Sequence, residues 1–138
     1  MKMIAIRLKP NQDLKLELEK IVKDQNITSG FIATCVGSAH VVTLRMAGAK
    51  PEKQDIRKLE GHFEIVSLVG TISLSGTHLH LSVSDEEGNV IGGHLKEGTL
   101  VTTTAEVVIG YEEGITFERA LDQETGFEEL SVVSTPLE

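Results

Sequence analysis

Residues 77–95, THLHLSVSDEEGNVIGGHL, contain the pattern from which the fold can be predicted. Apolar and polar residues alternate at residues 77–84, which is typical of a strand with one buried face, and residues 90–95 can return antiparallel to it. The acidic segment between them includes a glycine and an asparagine and indicates a turn. We therefore predict an antiparallel hairpin.

The predicted hairpin brings three histidines toward one patch. Successive side chains of a strand point to opposite faces, so His78 and His80 share one face, roughly 6.6 Å apart along the strand. If Ser84 pairs with Val90 across the turn, His80 lies opposite His94, and His78 is a diagonal neighbour within reach of both. The sequence thus predicts that three imidazoles converge.

Three converging imidazoles favour a metal site, because Zn²⁺ accepts histidine nitrogen at about 2.0–2.1 Å and a three-histidine site keeps an open position. The alternative is that these histidines are ordinary surface residues of an exposed strand. Gly92 and Gly93 bear on this choice. A bulge there would turn His94 to the other face, whereas glycine would also let backbone or substrate approach closely.

The rest of the chain predicts one helix and further strands. Residues 4–8 alternate as a first strand, and residues 13–25 carry apolar residues at helical spacing, with charges that suit the helix dipole. Further strands are predicted at residues 31–46, 61–73, 100–109 and 115–121, with a bulge or bend at Gly37. We expect an α+β fold with a mostly antiparallel sheet and one main amphipathic helix near the N-terminus. Protection of the strand edges favours closure toward a barrel, or oligomerisation.

Composition narrows the function classes. A chain of 138 residues fits one domain, 1–138, with an acidic tail at 122–138 whose last residues, around Thr135 and Pro136, we expect to be loose. The net charge of −8 disfavours DNA binding, which depends on Lys and Arg. The sequence lacks a run of about 18 apolar residues and the apolar region of a secretory signal. Cys35 is the single cysteine, and we expect a cytoplasmic protein without disulfides.

Two residues outside the hairpin are candidates for catalysis. Glu106 lies in an apolar stretch, where a carboxylate needs a partner; it is interpreted either as a general acid or base, or as a partner of Arg45 or Arg119. Arg45 ends an otherwise apolar strand and is interpreted as one half of an ion pair at the rim, or as a carboxylate-binding group. His40 and His62 stand alone and are interpreted as structural or surface residues.

Several segments together resemble the PPC (plants and prokaryotes conserved) domain. In order, they are VTLR at 42–45, GHFEIVSLVGT at 61–71, HLHLS at 78–82, GGHL at 92–95 and TTAEVV at 103–108. The resemblance covers about residues 3–118 and implies an α+β fold with a central antiparallel sheet, usually assembled as a homotrimer. It also implies that His78, His80 and His94 bind a metal, with zinc as the expected ion. Plant relatives carry the domain after AT-hooks in nuclear DNA-binding proteins, where it mediates oligomerisation and partner contacts; prokaryotic relatives stand alone and share the DNA-binding description by association.

Two departures from the plant pattern limit what the resemblance implies. The sequence has no Arg-Gly-Arg-Pro AT-hook, and the plant segment GRFEIL reads GHFEIV at residues 61–66, without the arginine to which a partner contact is attributed. The fold also looks similar to that of acetolactate decarboxylase, a zinc enzyme whose ligands include a His-x-His pair and a later His.

Two function hypotheses follow. The first is a homotrimeric metal-binding module that contacts a protein or nucleic-acid partner, with DNA supported by the family association and opposed by the charge. The second is a zinc-dependent, lyase-like or decarboxylase-like enzyme acting on a small oxo- or hydroxy-carboxylate. In that enzyme Arg45 would bind the carboxylate and Glu106 would move a proton.

Overall fold

The computed structural model describes residues 1–134. Its elements are β1 (Lys2–Leu8), α1 (Leu14–Asp24), β2 (Gly30–Arg45), β3 (Ile56–Ser73), β4 (Gly76–Ser84), β5 (Val90–Leu95), β6 (Leu100–Tyr111), β7 (Ile115–Leu121) and β8 (Glu128–Ser134). The predicted α+β fold with a mostly antiparallel sheet is confirmed. The expectation of a loose end at Thr135 and Pro136 concerns residues outside the described range.

Helix α1 forms where the sequence predicts it. Asp13 is its N-cap, and its carboxylate accepts a hydrogen bond from the Leu16 amide at 3.1 Å, satisfying one of the free amides of the first turn. Leu14, Leu18 and Val22 recur at helical spacing and are buried. The helix therefore presents one apolar face to the sheet.

The larger sheet has the strand order β1-β6-β2-β3-β4-β5, and β5 pairs a second time, with the end of β2. Strands β2, β3, β4 and β5 thus form a ring. Strand β2 connects this ring to β6, because its residues from Gly30 to Val41 pair with β6 and Leu44 and Arg45 pair with β5. Its register on β6 shifts between Gly37 and Ala39, next to the predicted bend. Ring closure is how β5 avoids a free edge.

Two segments differ from the prediction. Strand β3 begins at Ile56, because polar residues before Gly61 pair with the end of β2. The acidic tail contains strand β8, which pairs with β7 in a separate two-stranded sheet. The turn between them is closed by Asp122, whose Oδ1 accepts from the amides of Glu124 at 2.7 Å and Thr125 at 3.1 Å. This pairing is a tertiary contact that the acidic composition of the tail does not reveal.

The hydrophobic core joins the helix face to the inward residues of the larger sheet. Its largest fully buried side chains are Leu14, Leu18, Ile27, Val42, Leu44, Ile72, Leu79, Leu81, Val83, Leu95, Val101 and Ile109. Leu79 and Leu81 alternate with His78 and His80 along β4, so the face of β4 opposite the histidines packs on the core. In residues 1–134, no helix combines the length and the apolarity that a membrane crossing requires.

Replacing Leu18 by Ala should lower the free energy of unfolding by about 2–5 kcal/mol, because the side chain is fully buried and its removal leaves a cavity. Leu16→Ala on the same helix is the matched control. Its side chain is 45% exposed, so we expect a loss below about 1 kcal/mol. Urea unfolding followed by circular dichroism measures both. Equal losses in the two variants would contradict the predicted packing of the helix.

Candidate metal centre

The hairpin of β4 and β5 has the register that the sequence predicts. Ser84 pairs with Val90 and His80 with His94, and the intervening pairs are continuous. The two glycines therefore form no bulge, and His94 lies on the face of His78 and His80. Strand alternation is enough to place all three imidazoles together.

Gly92 and Gly93 instead allow the strands to approach closely. A Cβ added at Gly93 would lie 2.7 Å from the carbonyl oxygen of Arg45, and one added at Gly92 would lie 3.0 Å from that of Leu81. Any larger residue would push β5 away from a neighbour. The glycines are thus what lets β5 pair with β2 and β4 at once.

The three imidazoles are close enough to share one ion. Their candidate ligand nitrogens all lie within 4.8 Å of one another, and the Nε2 atoms of His78 and His80 are 3.2 Å apart. Nitrogens that share a tetrahedral zinc lie roughly 3.3 Å apart, given bonds of about 2.0–2.1 Å. The His78–His80 pair already has about that separation. A set of three imidazoles suits zinc and related borderline metals.

Burial and nearby cations hold two of these histidines in the neutral form. Burial first, and then the guanidinium of Arg45, lower the pKa of His94 from 6.5 to about 4. Burial first, then His80 and Arg119, lower the pKa of His78. A metal binds the neutral imidazole, so neither residue must lose a proton near neutral pH before binding.

Arg45 lies beside the candidate metal centre, and it makes no ion pair with any residue in the described range. One guanidinium nitrogen is 3.4 Å from His94 Nδ1. The guanidinium carbon lies 5.5 Å from the ring centre of Phe127, a cation–π distance. Phe127 belongs to the segment between β7 and β8, which sequence reasoning did not connect with the histidines.

Two cavities meet at Arg45 and His94. One, of about 370 Å³, extends over His80 and the two glycines toward the residues after β2. The other, of about 530 Å³, is walled by His78 and His94 on one side and by residues of the second sheet on the other. The histidine cluster therefore opens onto space that a small molecule can enter.

The hairpin of β7 and β8 forms one wall of the larger cavity. It contributes Arg119, Gly126, Phe127, Glu128 and Glu129. Arg119 donates a hydrogen bond to Thr71 Oγ1 at 3.0 Å, and Glu129 accepts one from Thr125 Oγ1 at 3.1 Å. Sequence reasoning missed Phe127 and Glu129 because it assigned no strand after residue 121. The turn residues at 122–126 were the available signal for a second hairpin.

Glu106 lies outside the candidate metal centre. It is exposed on β6, where its strand neighbours are Arg7 of β1 and Val36 of β2, and it lines neither cavity. The expectation that it faces a metal, or pairs with Arg45 or Arg119, was therefore wrong. The physical reason is alternation: its apolar neighbours along the strand point inward, and the carboxylate points to solvent.

The two remaining histidines are separate from the cluster, as their isolation in sequence indicates. His40 lies at a register shift of β2, with its Nδ1 3.3 Å from the hydroxyl of Thr102. His62 is exposed and lies 3.9 Å from a carboxylate oxygen of Glu86. Neither lines a cavity with His78, His80 or His94.

Comparison with known proteins gives a consistent family match. Residues 1–112 match the model of the Plants and Prokaryotes Conserved (PCC) domain. The bifunctional protein GlmU of a Synechococcus strain is 39% identical over 132 residues, which make up 96% of this chain and 20% of that protein. The chain thus spans about one fifth of the length of the curated relatives it matches.

Solved structures match over nearly the whole chain. A Salmonella enterica protein is 40% identical, with a TM-score of 0.91, and the match covers 96% of this chain and 94% of that one. A protein of Archaeoglobus fulgidus, described as metal-containing, is 25% identical, with a TM-score of 0.80 and coverage of 95% and 94%.

Two more distant matches concern the fold alone. The α-acetolactate decarboxylase of Bacillus subtilis is 21% identical, with a TM-score of 0.52 over 79% of this chain and 52% of that one, which confirms the expected similarity of fold. A Bacteroides thetaiotaomicron protein described as a candidate for DNA binding is 22% identical, with a TM-score of 0.85 and coverage of 94% and 91%.

Replacing Arg45 by Met should raise the pKa of His94 in the chelator-treated protein. The value should stay below 6.5, because burial is the larger cause of the shift. Histidine NMR titration measures it, with Arg7→Met on β1 as the control that should leave His94 unchanged. In the wild type, His94 binds a proton at a higher pH in the unfolded chain than in the folded one. The free energy of unfolding should therefore fall progressively as the pH falls from about 6.5 to about 4. An unchanged pKa in Arg45→Met would contradict the contact between guanidinium and imidazole.

Proposed function

The chain belongs to the Plants and Prokaryotes Conserved (PCC) domain family, and we propose that within it the protein is a cytoplasmic, homotrimeric module that holds zinc through His78, His80 and His94. The observation that carries the proposal is the convergence of three imidazoles on one rigid hairpin, with ligand nitrogens within 4.8 Å of one another. When bound, zinc would supply a Lewis-acidic centre with a coordination position left for a further ligand.

Three features of the surroundings support a metal over a chance cluster of surface histidines. Strand β4, which carries His78 and His80, is packed on the core through Leu79 and Leu81, both 1% exposed. The backbone that carries these two imidazoles is therefore held in place. Burial lowers the pKa values of His78 and His94, so both imidazoles are in the neutral form that binds a metal. The Archaeoglobus relative is described as metal-containing.

A trimer is supported by an apolar patch on the neighbouring strands β2 and β3. We call Val36, Val66 and Val69 the valine patch; they are 57%, 53% and 54% exposed. Large apolar side chains grouped at a surface are typical of an interface between chains. Val69 is the strand neighbour of His80, so this end of the patch lies beside the candidate metal centre.

DNA binding and enzymatic turnover have less support. The net charge of −8 opposes binding to phosphates. The enzyme hypothesis assigned proton transfer to Glu106, which is exposed on β6 and lines neither cavity at the metal centre. We therefore propose a binding module and not a catalyst.

Protein purified without a histidine tag should bind one zinc ion per chain, and His94→Ala should weaken binding by more than about 100-fold. The reasoning is that loss of a direct ligand should cost more than loss of an outer-shell partner, which costs about 10–100-fold. Competition with a chromogenic chelator measures the affinity, and elemental analysis measures the stoichiometry. His62→Ala is the matched control, because His62 is exposed and separate from the cluster.

For this test, circular dichroism must show that His94→Ala remains folded. Wild-type protein that takes up less than one equivalent of zinc, or equal affinity in His94→Ala and the wild type, would overturn the metal proposal.

Sedimentation equilibrium should give three times the 15.0 kDa mass of one chain. Val66→Lys should shift the protein toward monomer, because it introduces a charge that the interface would have to bury. Leu16→Lys on the exposed face of α1 is the control and should leave the mass unchanged. A wild-type mass of one chain, or a trimer that survives Val66→Lys together with Val69→Lys, would contradict the assignment of the valine patch.

A further inference from the structure

We propose that the cavity of about 530 Å³ beside His78 and His94 binds a small carboxylate between Arg45 and Arg119. The ligand class that fits is a 2-hydroxy carboxylate, whose carboxylate meets the guanidinium groups while its hydroxyl faces the histidines. The contact of the hydroxyl rests on the proposed function, because the hydroxyl would bind the proposed zinc.

The two guanidinium groups retain donors for such a ligand. Arg45 contacts the His94 ring and the face of Phe127, neither of which is a carboxylate. Arg119 uses one nitrogen to donate to Thr71 Oγ1, and an arginine has five N–H donors. Neither forms an ion pair with another residue of the described range. Planar guanidinium groups pair with carboxylates through two parallel hydrogen bonds.

The charge balance of the cavity favours an anion once the metal is present. Neutral imidazoles do not offset the charge of a divalent ion, and Arg45 and Arg119 add two further positive charges. Glu128 and Glu129 also line the cavity and offset half of this total. Glu129 is already engaged by the hydroxyl of Thr125. A carboxylate ligand would offset part of the remaining positive charge in a partly desolvated space, where the attraction is stronger than in water.

The cavity is also of suitable size and construction. Its volume is within the range of about 300–1,000 Å³ that is usual for small-molecule sites. Arg119 is on β7, and Arg45 is at the end of β2 where that strand pairs with β5. The guanidinium group of Arg45 also contacts the ring of Phe127, in the turn between β7 and β8. The two sheets thus close on the ligand space from opposite sides.

The test uses lactate as the probe and lactamide, its neutral counterpart of the same shape, as the ligand control. Isothermal titration calorimetry on the zinc-loaded protein should show lactate binding at least about tenfold tighter than lactamide. Arg45→Met and Arg119→Met should each weaken lactate by about tenfold or more, while each variant retains its zinc. Arg7→Met is the matched control, because Arg7 is exposed on β1 and lines neither cavity.

Failures of the two proposals are distinguishable, because zinc content is measured on the same samples. Zinc bound without any lactate binding, or equal lactate affinity in the wild type and in the double variant Arg45→Met/Arg119→Met, would overturn the carboxylate site and leave the metal proposal standing. If the wild type holds no zinc, the metal proposal fails. Lactate binding to the metal-free protein that requires both arginines would then still support the carboxylate site, and its absence would overturn it.

Discussion

The double pairing of β5 is the constraint on which the rest of the structure depends. This short strand hydrogen-bonds to β4 along one edge and to the end of β2 along the other, and so closes the ring of β2, β3, β4 and β5. Closure is sterically allowed because Gly93 has no side chain to meet the Arg45 carbonyl oxygen. The same contact sets His94 opposite both His80 and Arg45. One close approach of backbone therefore closes the ring and sets Arg45 beside the histidines that the hairpin of β4 and β5 brings together.

The chemistry of the centre follows from its position at the border of two sheets. The core below holds β4, while the hairpin of β7 and β8 brings Arg119 and Phe127 from the other side. Partial burial makes a protonated imidazole costly, and the nearby guanidinium groups add to this cost. The same positive charges that keep the histidines neutral would repel a bare cation. The proposed carboxylate would reduce this repulsion, because its negative charge would lie between the guanidinium groups and the metal.

Assembly and binding are adjacent on this surface. Val69 of the valine patch, on β3, is the strand neighbour of His80, and β4 carries two of the three histidines. In a trimer built on this patch, another chain would cover part of the sheet next to the metal centre. A change in assembly would then alter the burial of His80, the most exposed of the three imidazoles. The proposed interface and the proposed site thus share one stretch of sheet.

Local patterns in the sequence determined the hairpin of β4 and β5, the helix and the grouping of His78, His80 and His94, because alternation and turn residues act between neighbours in the chain. Only the tertiary structure decided that the two glycines allow a close approach of strands and form no bulge. It also decided that Glu106 faces solvent away from the site. The pairing of β8 with β7, which brings Phe127 and Glu129 to the cavity, was likewise decided at that level. These outcomes depend on pairings between segments far apart in sequence. Such contacts leave no periodic signal in either segment alone, since each strand alternates in the same way whichever partner it finds.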